Sequence, residues 1–272
     1  MIKIQKIIKY LAIGLAVFLI VNIISLAAYG IISIGSIFNN NENNTITEGF
    51  KNIKTKNQIN KLEIETKGVA ITIKKGDKFK IETDNKDIKI KESDNKLLII
   101  EDNNKWFTKS DYTELIISVP NDYQFDEVSI DSGAGRIEIY RLNTKKIDLD
   151  LGAGQVNISN LTVTEEADID GGAGEMNITT SSINNLDLDL GVGKVTLDSS
   201  LYGFNEIDGG IGELIVNLIG TENDYQIKCT KALGKITLNN EKIQSNKSYG
   251  NGNNLMEING GIGNIKINYF NK

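Results

Sequence analysis

The stretch DLDLGAGQVNI (residues 148–158) returns as DIDGGAGEMNI at 168–178 and as DLDLGVGKVTL at 187–197. Each copy runs in the same order: alternating acidic and apolar residues, a G-x-G corner, then further alternation. Aligned on the corner, the glycines fall at Gly133/Gly135, Gly152/Gly154, Gly172/Gly174, Gly191/Gly193 and Gly210/Gly212. Weaker copies follow at Ala232/Gly234 and Gly261/Gly263. Successive copies lie 19, 20, 19, 19, 22 and 29 residues apart, and 13 of the 26 glycines occupy these two positions. Such concentration marks an internal repeat.

Apolar residues alternate before each corner, as a strand with one buried face requires. One inward row reads Ile130, Leu149, Ile169, Leu188, Ile207, Cys229, Ile258. The middle corner residues, Ala134, Ala153, Ala173, Val192, Ile211, Leu233 and Ile262, keep that parity and are expected to point inward too. The next apolar residue (Ile137, Val156, Met176, Val195, Leu214, Ile236, Ile265) comes three positions later, so the alternation slips across the second glycine. A slip of parity is a corner or bulge, and glycine suits it by reaching positive φ and letting backbones approach. With looser turns such as RLNTKK (141–146) closing each circuit, the pattern predicts an all-β fold. It is a single-stranded β-solenoid of about 19–20 residues per coil, with successive coils stacked at roughly 4.8 Å.

Residues 61–128 use the same material less regularly. KLEIETKGVAITI (61–73) is strand, glycine corner, strand; KFKIET, DIKIKE and LLIIED continue the short strands, and Pro120 closes ELIISVP. They read as the irregular N-terminal part of the solenoid, and 129–272 as its regular part. IKINYF (265–270) is expected to form the terminal edge strand, capped by Tyr269 and Phe270.

Residues 10–38 carry no charge, and only Asn22 is strongly polar. That length crosses a hydrocarbon core with some tilt. Lys3, Lys6 and Lys9 precede it, and the positive-inside rule keeps residues 1–9 in the cytoplasm. The expectation is a single-pass anchor with the C-terminal part outside the cell membrane, joined through a polar linker and the start of a cap at 39–60. A cleavable signal peptide is the alternative, since SLAAYG (25–30) offers small residues to a peptidase, although the apolar run exceeds the usual roughly 7–15.

Composition narrows the function classes. His is absent, which removes the commonest general base and transition-metal ligand. The single Cys excludes an internal disulfide or a multi-cysteine metal site. Beyond residue 38 there are 36 acidic and 27 basic residues, a formal charge of −9, which argues against nucleic acid and for cationic partners. The glycine corners resemble phosphate loops only superficially, because strands and not helices follow them; no nucleotide or other cofactor is expected.

The membrane segment, the IISVP strand (116–120) and the serial DSGAG, DLGAG and DGGAG rungs resemble the bacterial putative-adhesin family, membrane-anchored β-solenoid domains of unknown function. The resemblance covers roughly residues 60–270. It implies display at the cell surface, and some members are encoded beside envelope stress-response systems. It assigns no binding residue.

Four and two residues before each corner lie outward-facing positions, ten of fourteen of them acidic. Asp148, Asp150, Asp168, Asp170, Asp187 and Asp189 form the densest part. Stacked carboxylates repel by about 1 kcal/mol per pair in water, less with salt. A divalent cation would relieve that repulsion, so these six are weak cation candidates, set against a solvated face that resists aggregation. Trp106, in the polar stretch NNKWFTKSDY (103–112), could stack on a sugar or cap the solenoid. Cys229 reads as a small buried hydrophobe. The expected function is a non-catalytic envelope interaction module whose partner is an envelope polymer or a membrane protein. One alternative is an accessory to envelope-stress signalling. The other is a polysaccharide-degrading β-helix enzyme with Arg136 or Lys194 beside paired carboxylates.

Overall fold

A computed structural model describes residues 50–53, 55, 58–102, 113–230 and 233–270. The segment 10–38, the basic tip before it, most of the linker and Trp106 lie outside the described residues. Residues 46–272 form one compact unit. The described residues are all-β: strands and turns, with no helix among them.

The first seven strands are short: β1 (Lys51–Ile53), β2 (Lys61–Thr66), β3 (Ala70–Lys75), β4 (Lys80–Thr83), β5 (Ile88–Ser93), β6 (Lys96–Glu101) and β7 (Glu114–Val119). Four long strands follow, each bending through a glycine corner: β8 (Phe125–Ile139), β9 (Leu142–Ser159), β10 (Leu161–Asn184) and β11 (Leu186–Tyr202). Then come β12 (Phe204–Asp208), β13 (Ile211–Ile219), β14 (Tyr225–Thr230), β15 (Leu233–Leu238), β16 (Glu241–Lys242), β17 (Ser248–Tyr249), β18 (Asn254–Asn259) and β19 (Ile262–Phe270).

Parallel pairing stacks these into coils. From β8 to β11 the coils follow one another in sequence, and β12/β13 lie next to β11. The two ends depart from the expected serial order. β18/β19 lie directly on β12/β13, and β14/β15 lie outside β18/β19. The coil carrying Gly261/Gly263 is therefore the penultimate layer, and the coil carrying Gly234 is the last. At the other end β2/β3 pair with β8, and β6/β7 pair with β2/β3 from outside.

The reason lies in the edges. A terminal coil presents unpaired N–H and C=O groups, which invite association. Here each end is closed by antiparallel strands: β4 and β5 against β7 and β6, and β16 and β17 against β15 and β14. Making the second closure uses the chain between 239 and 250, and the remaining segment then enters the stack one layer further in. The long 29-residue interval before Gly261 is this excursion. The expected edge strand at 265–270 is thus corrected: β19 is paired on both sides, with β13 and β15. Tyr269 stacks on Tyr225 with ring centroids 6.2 Å apart, while Phe270 is exposed.

In spatial order the main core column reads Ile99, Ile64, Ile130, Leu149, Ile169, Leu188, Ile207, Ile258, Cys229, all buried. Burying each large aliphatic side chain is worth about 1.5–3 kcal/mol. Where the register shifts, between Val163 and Glu166 and between Ile178 and Ser181, buried polar side chains take up the backbone. Ser181 accepts a hydrogen bond from the Leu161 amide at 3.3 Å. Asn205 accepts one from the Leu186 amide at 3.1 Å and donates to the Leu255 carbonyl at 3.1 Å. Ser181 and Asn205 are satisfied in this way, whereas the hydroxyl of Ser199, opposite Ser181 at the same shift, is buried without a hydrogen-bond partner.

Candidate functional site: the acidic ladder and the corner furrow

The most regular outward surface flanks the glycine corners. Gly172 and Gly174 show why that corner admits no side chain. A Cβ on Gly172 would stand 1.7 Å from the Gly152 carbonyl oxygen, and one on Gly174 would stand 1.8 Å from that of Gly154. Gly174 also has φ +144, a conformation that L side chains rarely adopt. The same contact repeats up the column, with Gly263 against Gly212 and Gly234 against Gly263.

Bare corners leave a shallow furrow across the stack, open to solvent, with a cavity volume of about 80 Å³. Its floor includes Val156, Met176, Val195, Ile236 and Ile265, which keep 4–8% exposure where most of the core keeps 0–1%. The position before each corner and the residue after it trade volume. Leu151 and Leu190 are matched with Val156 and Val195, whereas Gly171 is matched with Met176, whose Cε reaches within 3.4 Å of where a Gly171 Cβ would lie. Cores tolerate changes that conserve total volume in this way.

The middle corner residues do not point inward, contrary to the parity reading. In stacking order they run Ala134, Ala153, Ala173, Val192, Ile211, Ile262, Leu233. Leu233 is 65% exposed and Ile262 47%. The sequence signal that could have shown this is the size trend along the column, which grows from alanine to leucine without the filled packing of a core. The inward positions are instead the ones just before the corner, which the sequence hides by using Ser132, Gly171 and Gly209 there.

Beside the furrow stand the carboxylates. Ser129, Asp148, Asp168, Asp187, Glu206, Glu257 and Lys228 form one outward column. Asp131, Asp150, Asp170, Asp189, Asp208, Asn259 and Thr230 form the second, nearer the corner. The first column ends on a cation, Lys228, paired with Glu257 at 3.1 Å. The ladder is a line and not a cage: among the described residues no three acidic, His or Cys groups are placed to hold a metal ion. On the other flank Arg136 pairs with Glu138 at 2.7 Å and Lys194 lies 3.9 Å from Glu213. Neither ion pair involves the aspartate ladder. Beyond that flank an amide ladder runs along the stack: Asn157 donates to Glu138 at 2.9 Å, and Asn177 to Asn157 at 3.1 Å.

Thinned hydration, and after it repulsion between neighbours, holds the carboxyls of Asp148, Asp168, Asp187 and Asp189 above the usual carboxylate range. Asp131 is raised by the same two causes. Elsewhere Lys145 holds Asp126, Lys89 holds Asp102 and Lys266 holds Glu213 below the usual range. A raised folded pKa means that the native state binds more protons than the unfolded chain, so stability falls as pH rises through it. The ladder contribution is therefore fully present below pH 3.8, the ordinary value, and lost above the raised ones. The expected result is a thermal midpoint that rises as pH is lowered from 7 toward 4. It falls again in stronger acid, where the lowered carboxylates protonate. Asp168→Asn with Asp187→Asn should flatten the first limb, and a wild-type midpoint that declines steadily from pH 7 would refute the account.

Cys229 closes the core column at the outermost layer; burial pushes its thiol up to about 12. It is unreactive in the native fold on that ground.

Among the solved structures that resemble the chain are two with related descriptions. One is of a putative cell adhesion protein from Clostridium sporogenes ATCC 15579, at 17% identity, covering 81% of this chain and 98% of that one with a TM-score of 0.42. The other is of a putative adhesin from Bacteroides fragilis NCTC 9343, at 13% identity with the same coverage and a TM-score of 0.33. No curated protein matches the chain. The family model described as Toastrack DUF4097 matches residues 59–258, the span from the first core residue to the penultimate coil. The chain therefore belongs to the Toastrack DUF4097 family.

Proposed function

We propose that this protein is a non-catalytic interaction module of the cell envelope, held to the membrane by residues 10–38 with its solenoid on the outer side. The uncharged 29-residue segment behind three lysines supports the tether and its direction. The carrying observation is that one outward surface repeats layer after layer, with the acidic columns and corner residues in register over seven coils. A repeated line suits recognition of something long or repeated. The alternating closure of both ends leaves the solenoid a capped, rigid spacer.

The test is retention of residues 46–272 on washed cell walls and, in parallel, on detergent-solubilised membranes, each with calcium or chelator. Binding to wall material supports an adhesin-like role, and dependence on calcium would make the aspartate ladder a site. Capture of a membrane protein alone would turn the reading to a signalling accessory. Retention on neither overturns it.

A further inference from the structure

The furrow and the acidic ladder are adjacent columns of one surface. Asp150, Asp170 and Asp189 each lie three residues from the corner residues Ala153, Ala173 and Val192 on the same strand. Along the apolar column Ala153, Ile262 and Leu233 are exposed, and Ala134, Ala173, Val192 and Ile211 are half-buried. Exposed apolar stripes of this extent mark contact surfaces. What would cover this one is decided by its charges.

A second copy of the chain fits poorly. Antiparallel two-fold pairing would lay one acidic ladder on the other, bringing like charges together along the whole contact. Parallel pairing would set the ladder against the far flank of the furrow, which carries Arg136, Glu175, Lys194, Glu213 and Lys235. That flank is mixed in sign, and its Arg136 is already paired with Glu138. The complement that satisfies both columns is apolar along one line and cationic along the next.

We infer that the furrow is a docking surface for a cationic amphipathic segment of polypeptide. Its apolar side chains would lie on the column from Ala134 to Leu233, and its Lys or Arg residues would face Asp131, Asp150, Asp170, Asp189 and Asp208. This rests on the interaction-module reading above and gives it a partner class. Seven layers at roughly 4.8 Å span about 29 Å. An amphipathic helix of about 19 residues has that length, and laying an apolar helix face into a groove is an established mode of peptide recognition. The widening from alanine to leucine along the column gives the surface a polarity. Bulky ligand side chains fit at the Ala134 end, and small ones fit beside Ile262 and Leu233.

The test uses three labelled 19-residue peptides and fluorescence anisotropy with residues 46–272: a Leu/Lys amphipathic helix, a charge-matched Lys/Ser peptide and a Leu/Glu helix. The Leu/Lys peptide is expected to bind at least tenfold more tightly than the Lys/Ser peptide, and the Leu/Glu peptide not to bind. Ile262→Ser with Leu233→Ser should weaken the Leu/Lys peptide at least fivefold while leaving the thermal midpoint in place, since both side chains are exposed. Asp150→Asn, Asp170→Asn and Asp189→Asn together should flatten the dependence of affinity on salt. Equal binding of the Lys/Ser peptide would overturn the furrow's part. A dimer in sedimentation that Leu233→Ser dissociates would assign the surface to a second copy and overturn the proposal. If no peptide binds while wall or membrane retention persists, this inference fails and the module reading stands; loss of both removes both.

Discussion

Gly174→Ala is expected to destabilise the solenoid by about 4 kcal/mol or more, from strained φ and backbone overlap together. The added methyl would stand 1.8 Å from the Gly154 carbonyl oxygen and 2.9 Å from its carbon, on a residue at φ +144. Nothing nearby is the movable end of a side chain. Room could come only from prising two layers apart, which would stretch the hydrogen bonds on both sides of the corner. For a unit of this size that corresponds to a fall in melting temperature of roughly 8–16 °C, and native stability of about 5–15 kcal/mol leaves a large unfolded fraction. Gly68→Ala is the control. It lies in the corner of the β2/β3 coil at the middle position, in register with Ala134 and not with either corner glycine, and a Cβ there meets only the Ala134 carbonyl oxygen at 3.9 Å. Its effect should stay within about 0.5 kcal/mol. Urea and thermal unfolding of the two variants decide the matter; equal melting temperatures would mean that the column yields easily and that the glycines are there for another reason.

A chain ending at residue 252 is expected to lose two coils and not one. It lacks β18/β19, and β14/β15 then have no layer to rest on, because they touch the rest of the stack through those strands. Cys229 gives the readout. In the intact protein it is fully buried, with its thiol pushed up to about 12, and a thiol reagent must wait for local opening. In the shortened chain Cys229 should react at least roughly a hundredfold faster, approaching the rate of an unfolded peptide. Serial stacking makes the opposite forecast: only an outer layer would be missing, and Cys229 would stay protected. Unchanged labelling would overturn the pairing of β14 with β18.

The comparison of sequence with structure turns on a few residues. The glycine spacing and the alternating Ile, Leu and Val are local consequences of a layer that repeats, so the all-β solenoid could be read directly from them. Stacking order is not local. Ile258 and Cys229 occupy the same row by parity, and nothing in parity says which lies against Ile207; that depends on which strands close the open end. The direction of the middle corner residues was lost for a related reason. Both Leu151–Ala153–Val156 and Leu151–Val156 are consistent with one slip in alternation, and the glycine-for-leucine replacements at 171 and 209 hide the true inward position. The acidic ladder was visible as a pattern and emerges as two columns in register. Its neighbour, the furrow, was not, because a furrow is made by side chains that are missing.

The inserted coil also changes how the molecule answers to load. If the outermost layer were also the last in the chain, tension applied beyond residue 270 would unzip it from a single neighbour, a few hydrogen bonds at a time. Here β19 is held by β13 on one edge and β15 on the other. Tension there must shear two rows of hydrogen bonds together before any layer is freed. The solenoid carries its downstream end as a clamped strap.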